Sequence, residues 1–402
     1  MRSNNYSEGY SGRGGQARSS YNFTVNPGGS STGSAVAVAN NVVMFALGSE
    51  TDGSVINPAE RNAIVGIKPT VGLTSRAGVI PESEHQDTIG CFGRTVRDAV
   101  YALDAIYGVD PRDNYTSAQI GKTPASGYIP YMSSKTVLAG ARFGLPWASF
   151  WALADPEQQT ILLSLIALIE SAGATIVNNT ELPLYQIIVS PTGWNWDYGS
   201  TRGYPNESEY TVVKVDFYNN IASYLSELSN TAIRSLADIV AYNNANSGTE
   251  GGLPGIQPAF GSGQDGFLAS LATGGVMDET YYQALSFCQT STREDGIDAA
   301  LANDGAPLDA LLVPPDVAQS YQIAAQAGYP VITVPAGVHS LSGMPFGLAV
   351  MGTAWSEGGL VRWASAIEDL LIGAGAEYGR TMPRWDGYLE RNVPTVAQCF
   401  GC

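Results

Sequence analysis

Two short stretches hold the residues best suited to chemistry. They are Gly28-Gly29-Ser30-Ser31-Thr32-Gly33-Ser34 and Gly48-Ser49-Glu50-Thr51-Asp52-Gly53-Ser54-Val55-Ile56-Asn57-Pro58. Each is a turn rich in glycine and hydroxyls, and such turns can bring successive backbone N–H groups and two serines into one pocket. Three chemistries compete for that arrangement. A phosphate cradle fits the glycine spacing from Gly28 to Gly33, but Ser34 stands where a P-loop needs lysine, and the main phosphate contact is then lost. A nucleophile elbow fits Gly29-Ser30-Ser31-Thr32-Gly33, yet it requires a strand running into its first glycine. Here Pro27 and a polar segment precede it. The third chemistry is a serine nucleophile that gives its proton to something other than imidazole, such as lysine. It suits a chain whose histidines are His85 and His339 alone.

The other reactive residue types point to structure. His85 lies in Pro81-Glu82-Ser83-Glu84-His85-Gln86-Asp87, whose spacing matches no zinc pattern, so an exposed acidic turn is expected and no metal. His339 lies in a Gly/Ser loop and is expected at a surface or rim. A His-dependent esterase would lose its activity in His339→Ala. Lys68 precedes Pro69 and is expected to fix a strand end. Cys91 and Cys288 are isolated, while Cys399 and Cys402 have Cys-x-x-Cys spacing at the end of the chain, without the strand–helix setting of a redox motif. Buried thiols and disulfides both stay open, and no cofactor is implied.

Composition narrows the partners. The 20 basic against 37 acidic side chains give a net charge of −17, which repels nucleic-acid backbones and anionic membranes. No apolar run reaches the roughly 18 residues of a membrane helix. Asn-x-Ser/Thr acceptors at Asn5, Asn22, Asn114, Asn178 and Asn206 are compatible with secretion. No signal peptide opens the chain, and the compartment stays open. A hydrophobic share of 44% over 402 residues supports a sizeable core.

The elements that would position the two turns alternate. Residues 34–47 read as a helix leading into a buried strand, and short strands follow within 61–80. Asp87–Tyr107 contains an amphipathic helix, 108–136 is a loop, and a strand lies near 137–145. Asp155-Pro156-Glu157-Gln158 starts a helix running to Ala172, with Gly173 as its stop. A strand at 175–177, two helices in 209–243, a loop at 244–265 and a helix at 279–301 come next. Apolar runs at 309–314, 331–335 and 346–352 read as buried strands, and 355–372 as a last helix. This alternation predicts an α/β fold around one large sheet.

The motifs taken together resemble the amidase signature family. Pro27 through Ala35 and Gly48 through Ser54, followed by Pro58-Ala59, carry the likeness. So do Gly66-Ile67-Lys68-Pro69-Thr70, Ser75-Arg76-Ala77-Gly78, Asp87-Thr88-Ile89-Gly90 and Arg94-Thr95-Val96-Arg97-Asp98. Ala327-Gly328-Tyr329-Pro330, Val334-Pro335-Ala336-Gly337, Pro345-Phe346-Gly347-Leu348 and Ser356-Glu357 continue it, and the resemblance runs from about Ser7 to Pro383. Glu50 and Asp52 stand where the commoner pattern has Asp and Gly, as in a fungal-type subgroup. The resemblance implies a large mixed β-sheet covered by helices and a Ser–cisSer–Lys triad. In it Ser54 attacks an amide carbonyl, Ser30 follows a cis peptide bond and passes the proton, and the N–H groups of Thr51, Asp52, Gly53 and Ser54 form the oxyanion hole.

That triad also needs a lysine well upstream of the glycine-rich turn, and no lysine precedes Ser30. The arginines there, Arg2, Arg13 and Arg18, stay protonated and cannot act as base. The expectation is therefore one N-terminally truncated amidase-type domain over residues 1–402. It comprises a polar lead-in at 1–27, a signature core at 28–100, the loop at 244–265 and a tail at 384–402. Its activity would be hydrolysis of carbon–nitrogen amide bonds in a small-molecule substrate, lost or weak without the lysine. The alternative is an amidase-like protein, or a truncated gene product, that binds without turnover. Pocket walls are expected from the loops 186–215 and 244–265, and oligomeric state is not readable.

Overall fold

The computed structural model describes residues 2–189 and 207–374. The tail at 384–402, with Cys399 and Cys402, and much of the 186–215 loop lie outside the described residues.

Eight strands form the central sheet: β1 (Phe45–Glu50), β2 (Val65–Lys68), β3 (Thr88–Gly93), β4 (Arg142–Leu145), β5 (Thr175–Asn178), β6 (Ala310–Val313), β7 (Val331–Val338) and β8 (Pro345–Met351). Their spatial order is β1-β3-β2-β7-β8-β6-β4-β5. The pairs from β1 across to β6 are antiparallel, whereas β4 runs parallel to both β6 and β5. The sheet is therefore mixed.

The middle strands are largely apolar because both of their faces are covered. Strand periodicity sends Leu348 and Val350 to one face and Ala349 and Met351 to the other. On the first face pack α3 (Val96–Ile106), α4 (Pro156–Ser171) and α10 (Glu357–Ala374), through Val100, Leu103, Leu165, Ile169, Val361 and Ile367. On the second pack α9 (Ser320–Ala327) and α8 (Glu279–Thr292), through Ile323, Ala324 and Cys288. Three more helices, α5 (Glu209–Glu227), α6 (Leu236–Ala245) and α7 (Asp265–Thr273), build a separate apolar cluster around Phe217, Ile221, Leu225 and Leu236.

Local signals in the chain set several boundaries. Thr95 and Asp98 form a reciprocal capping box at the start of α3, which satisfies two otherwise orphaned N–H groups. Asp155 accepts from the N–H groups of Glu157 and Gln158 ahead of α4, with Pro156 in its first turn. Gly173, at φ +100°, follows that helix.

Two expectations need correction, and three elements arise where the sequence reading placed none. The strand after the first helix, β1, lies at the sheet edge with Phe45 and Leu47 facing outward, so it is half-buried. The stretch 87–107 holds β3 as well as α3. Thr88-Ile89-Gly90-Cys91-Phe92-Gly93 is short and glycine-broken, and its pairing with β1 and β2 is tertiary information. The helices α7 and α9 emerge from segments without a strong apolar stripe. The run from Glu279 breaks at Thr292 into a turn with Gly296 at non-helical angles and resumes only at Asp298.

Candidate active site

The two glycine-rich turns fold against each other. α1 (Thr32–Ala39) begins in the first turn, and β1 ends in the second just before α2 (Ile56–Glu60). The Ser31 hydroxyl donates to Ser49 O (3.0 Å) and accepts from Ser49 N (3.1 Å), and Ser31 N donates to Ser54 O (3.2 Å). One serine thus stitches the first turn to the second. Gly28 and Gly53 are required by space: both have positive φ, and a Cβ at Gly28 would lie 2.8 Å from Pro58 Cα. The Gly29–Ser30 peptide bond is cis. Asn62 Nδ2 donates to Pro27 O (2.9 Å) and Pro58 O (2.8 Å), tying the outer ends of both turns.

Behind the second turn lies a buried charged group. Glu50 Oε2 accepts from Val55 N (2.6 Å) and Ile56 N (2.9 Å), closing the turn that presents Ser54. Burial pushes its carboxyl up, against the pull of Lys68. Lys68 itself is pushed down to about 8 by burial, which Glu50 and Glu357 oppose. Its Nζ donates to Tyr329 O (2.7 Å), and Glu357 Oε1 accepts from Thr70 N (2.7 Å). Lys68 therefore ends β2 as a strand-end anchor.

Ser30 and Ser54 line one cavity of about 830 Å³, together with Ser49 and Thr51. Its far wall is apolar, with Phe217, Ile221, Tyr224, Ile239 and Phe267 from the helical lobe, and Val79 and Ile80 from the loop after β2. These helices and the 76–84 loop supply the walls expected of 244–265. Arg76 is paired with Asp113 through two 2.8 Å contacts and Arg112 with Asp110 at 2.8 Å; the acidic Glu82, Glu84 and Glu227 line the same cavity.

The acid–base side chains of the cavity wall are carboxylates, with no lysine or histidine among them. The chain's lysines are Lys68, Lys122, Lys135 and Lys214, and none belongs to the cavity wall. Neither histidine does. His85 Nδ1 faces Asp216 Oδ2 at 2.9 Å, and His339 lies near Asp155 at 3.5 Å. The 81–87 turn is not the exposed acidic turn expected, since Ser83, Gln86 and Asp87 are buried. Glu84, His85 and Asp216 come close enough together to suggest a metal cluster. However, the buried Asp216 carboxylate is taken up by Ser83 Oγ (2.6 Å), Tyr281 Oη (2.6 Å) and His85.

Gln86 and Asp87 belong to the turn expected to be exposed, and nothing in the sequence marks Glu209. All three reach Thr51 or its partner: Asp87 accepts from Thr51 Oγ1 (2.7 Å), and Gln86 Nε2 donates to Thr51 O (3.2 Å) and to Glu209 Oε1 (2.6 Å). Burial pushes the Asp87 carboxyl up to about 6, and burial likewise raises Glu209.

A mixed sheet carrying two interlocked serine turns over an apolar cavity defines a class of serine-bearing α/β proteins, and comparison narrows it. The amidase family model matches residues 3–243. A protein of Schizosaccharomyces pombe named as an amidase is 56% identical across 98% of this chain and 67% of its own length. An Arabidopsis thaliana protein so named is 36% identical across 92% of this chain and 65% of its own. Among solved structures, the peptide amidase of Stenotrophomonas maltophilia superposes with a TM-score of 0.81 at 37% identity, over 96% of this chain and 73% of that one. The chain belongs to the amidase family. It spans about two thirds of the length of these two relatives.

Proposed function

We propose that this chain carries the acyl-transfer half of a serine amide hydrolase, acting on a small-molecule amide with an apolar side group. Ser54 is the nucleophile, Ser30 relays its proton, and the N–H groups of Thr51, Asp52 and Gly53 receive the negative charge on the carbonyl oxygen. No cofactor takes part. The observation that carries this reading is that Ser30 and Ser54, from turns locked by Ser31, line one cavity. The conformation of Gly53, buried and at positive φ, suits convergence of successive N–H groups on one point. Fixed donors of this kind contribute about 3 kcal/mol each in related hydrolases. The apolar far wall supports an acyl or aryl group on the substrate.

A second reading has its own observation: no lysine or histidine belongs to the cavity wall. Loss of a general base typically costs ~10²–10⁴-fold in rate. In that reading the chain binds amides without turning them over. Assay of the 402-residue chain on benzamide and on amidated dipeptides, beside Ser54→Ala, separates the two. The expected result for the chain alone is hydrolysis no faster than the variant. A clear Ser54-dependent rate would establish turnover and remove the second reading.

A further inference from the structure

The turn proposed to hold the oxyanion is fixed from outside by a buried network with no assigned role. Gln86 and Glu209 are 4% and 1% exposed. Gln86 Nε2 donates to Thr51 O (3.2 Å) and to Glu209 Oε1 (2.6 Å), so both hydrogens of its amide are spent. Glu209 Oε2 in turn accepts from Gln322 and Gln326 of α9. The adjacent Asp87 takes the Thr51 hydroxyl at 2.7 Å, and its other oxygen accepts from Glu82 N (2.7 Å) and Ser83 N (3.0 Å). Thr51 is therefore held at its carbonyl and at its side chain by consecutive residues of one loop.

A trans peptide is planar, and its C=O and N–H point in opposite directions. The Thr51–Asp52 bond is trans. Thr51 and Ser54 line the cavity and Gln86 does not, so a Thr51 carbonyl directed at Gln86 turns the Asp52 N–H the other way. We propose that Gln86, held by Glu209, is a positioning residue that fixes the Thr51–Asp52 peptide and keeps the Asp52 N–H aimed at the carbonyl oxygen of a bound amide. This rests on the serine-hydrolase reading above. Without Gln86 the peptide plane is free to rotate, which would put a carbonyl where charge stabilisation needs a donor. Glu209 also opens α5, whose Phe217, Ile221 and Tyr224 form the cavity wall. The substrate wall and the oxyanion turn are thus joined through a single carboxylate.

The test uses the full chain with two probes and an unfolding curve. Phenylboronic acid becomes a tetrahedral anion on a reactive serine, whereas benzamide is planar and offers the same N–H only a neutral carbonyl oxygen. Gln86→Met preserves size and removes the donor. It is expected to weaken boronate binding ~10- to 100-fold and benzamide binding by no more than about twofold, because a neutral carbonyl takes a weaker hydrogen bond than an anion does. Glu209→Gln keeps an acceptor oxygen for Gln86 and is expected to show a smaller loss of the same kind; it decides the matter if Gln86→Met does not fold. Unchanged boronate affinity, or boronate and benzamide falling in parallel, overturns the proposal. Ser54→Ala separates it from the reading beneath: boronate binding that ignores Ser54 defeats the hydrolase reading and this inference together. Ser54-dependent binding that ignores Gln86 defeats the inference alone.

Discussion

Replacing Gly53 with alanine probes the second turn without relying on turnover. Gly53 has φ +84°, and an added Cβ would stand 2.5 Å from two carbons of the Tyr321 ring. Two costs add. Holding an L-residue at positive φ costs about 1–2 kcal/mol, and forcing a methyl group into a packed site costs about 1–3 kcal/mol more. The sum, about 2–5 kcal/mol, is a large part of the roughly 5–15 kcal/mol that holds a domain together. Urea unfolding should show a lower midpoint with an unchanged slope. In a Tyr321→Ala background the ring is gone, so the Gly53→Ala penalty should shrink to the backbone part, about 1–2 kcal/mol. A Gly53→Ala loss under about 0.5 kcal/mol would refute the reasoning. A penalty identical in both backgrounds would show that the ring plays no part.

Folding stability should depend on pH in a direction set by buried groups. Burial raises Asp87 from 3.8 to about 6, and raises Glu209 as well. The folded chain therefore binds protons that the unfolded chain does not, and stability increases as pH falls from about 7 toward 5. Lys68, lowered from 10.5 to about 8, acts oppositely, adding stability as pH rises above 8. Unfolding midpoints across this range should pass through a minimum near neutrality, and a maximum there would contradict the assignment. Lys68→Met should cost about 3–5 kcal/mol, since it leaves Glu50 and Glu357 buried without their cation. Adding Glu357→Gln should recover part of that loss in thermal unfolding, and no recovery would mean that the two groups are not coupled.

The two turns of the candidate site were legible because their determinants are local. Glycines at the two turns, with hydroxyls between them and Pro27 and Pro58 at the flanks, mark tight turns wherever they fall in a chain. Asp155-Pro156 and Thr95 with Asp98 likewise announce helix starts through hydrogen bonds spanning three residues or fewer. β3 escaped because its glycines weaken strand propensity, and only pairing with β1 and β2 on either side makes it a strand.

What the chain's order alone determined was the inventory: two serines 24 positions apart in turns that favour converging N–H groups, few imidazoles, and an acidic balance. Tertiary structure decided which distant groups serve those turns. Glu209 meets Gln86 across 123 residues, and Gln322 meets Glu209 across 113. The cavity wall likewise comes from Phe217 and Phe267, far along the chain from Ser54. No periodicity or spacing encodes such contacts. They exist because burial of the apolar faces of α5 and α9 brings their polar residues to the same enclosed place, where each must find a hydrogen-bond partner.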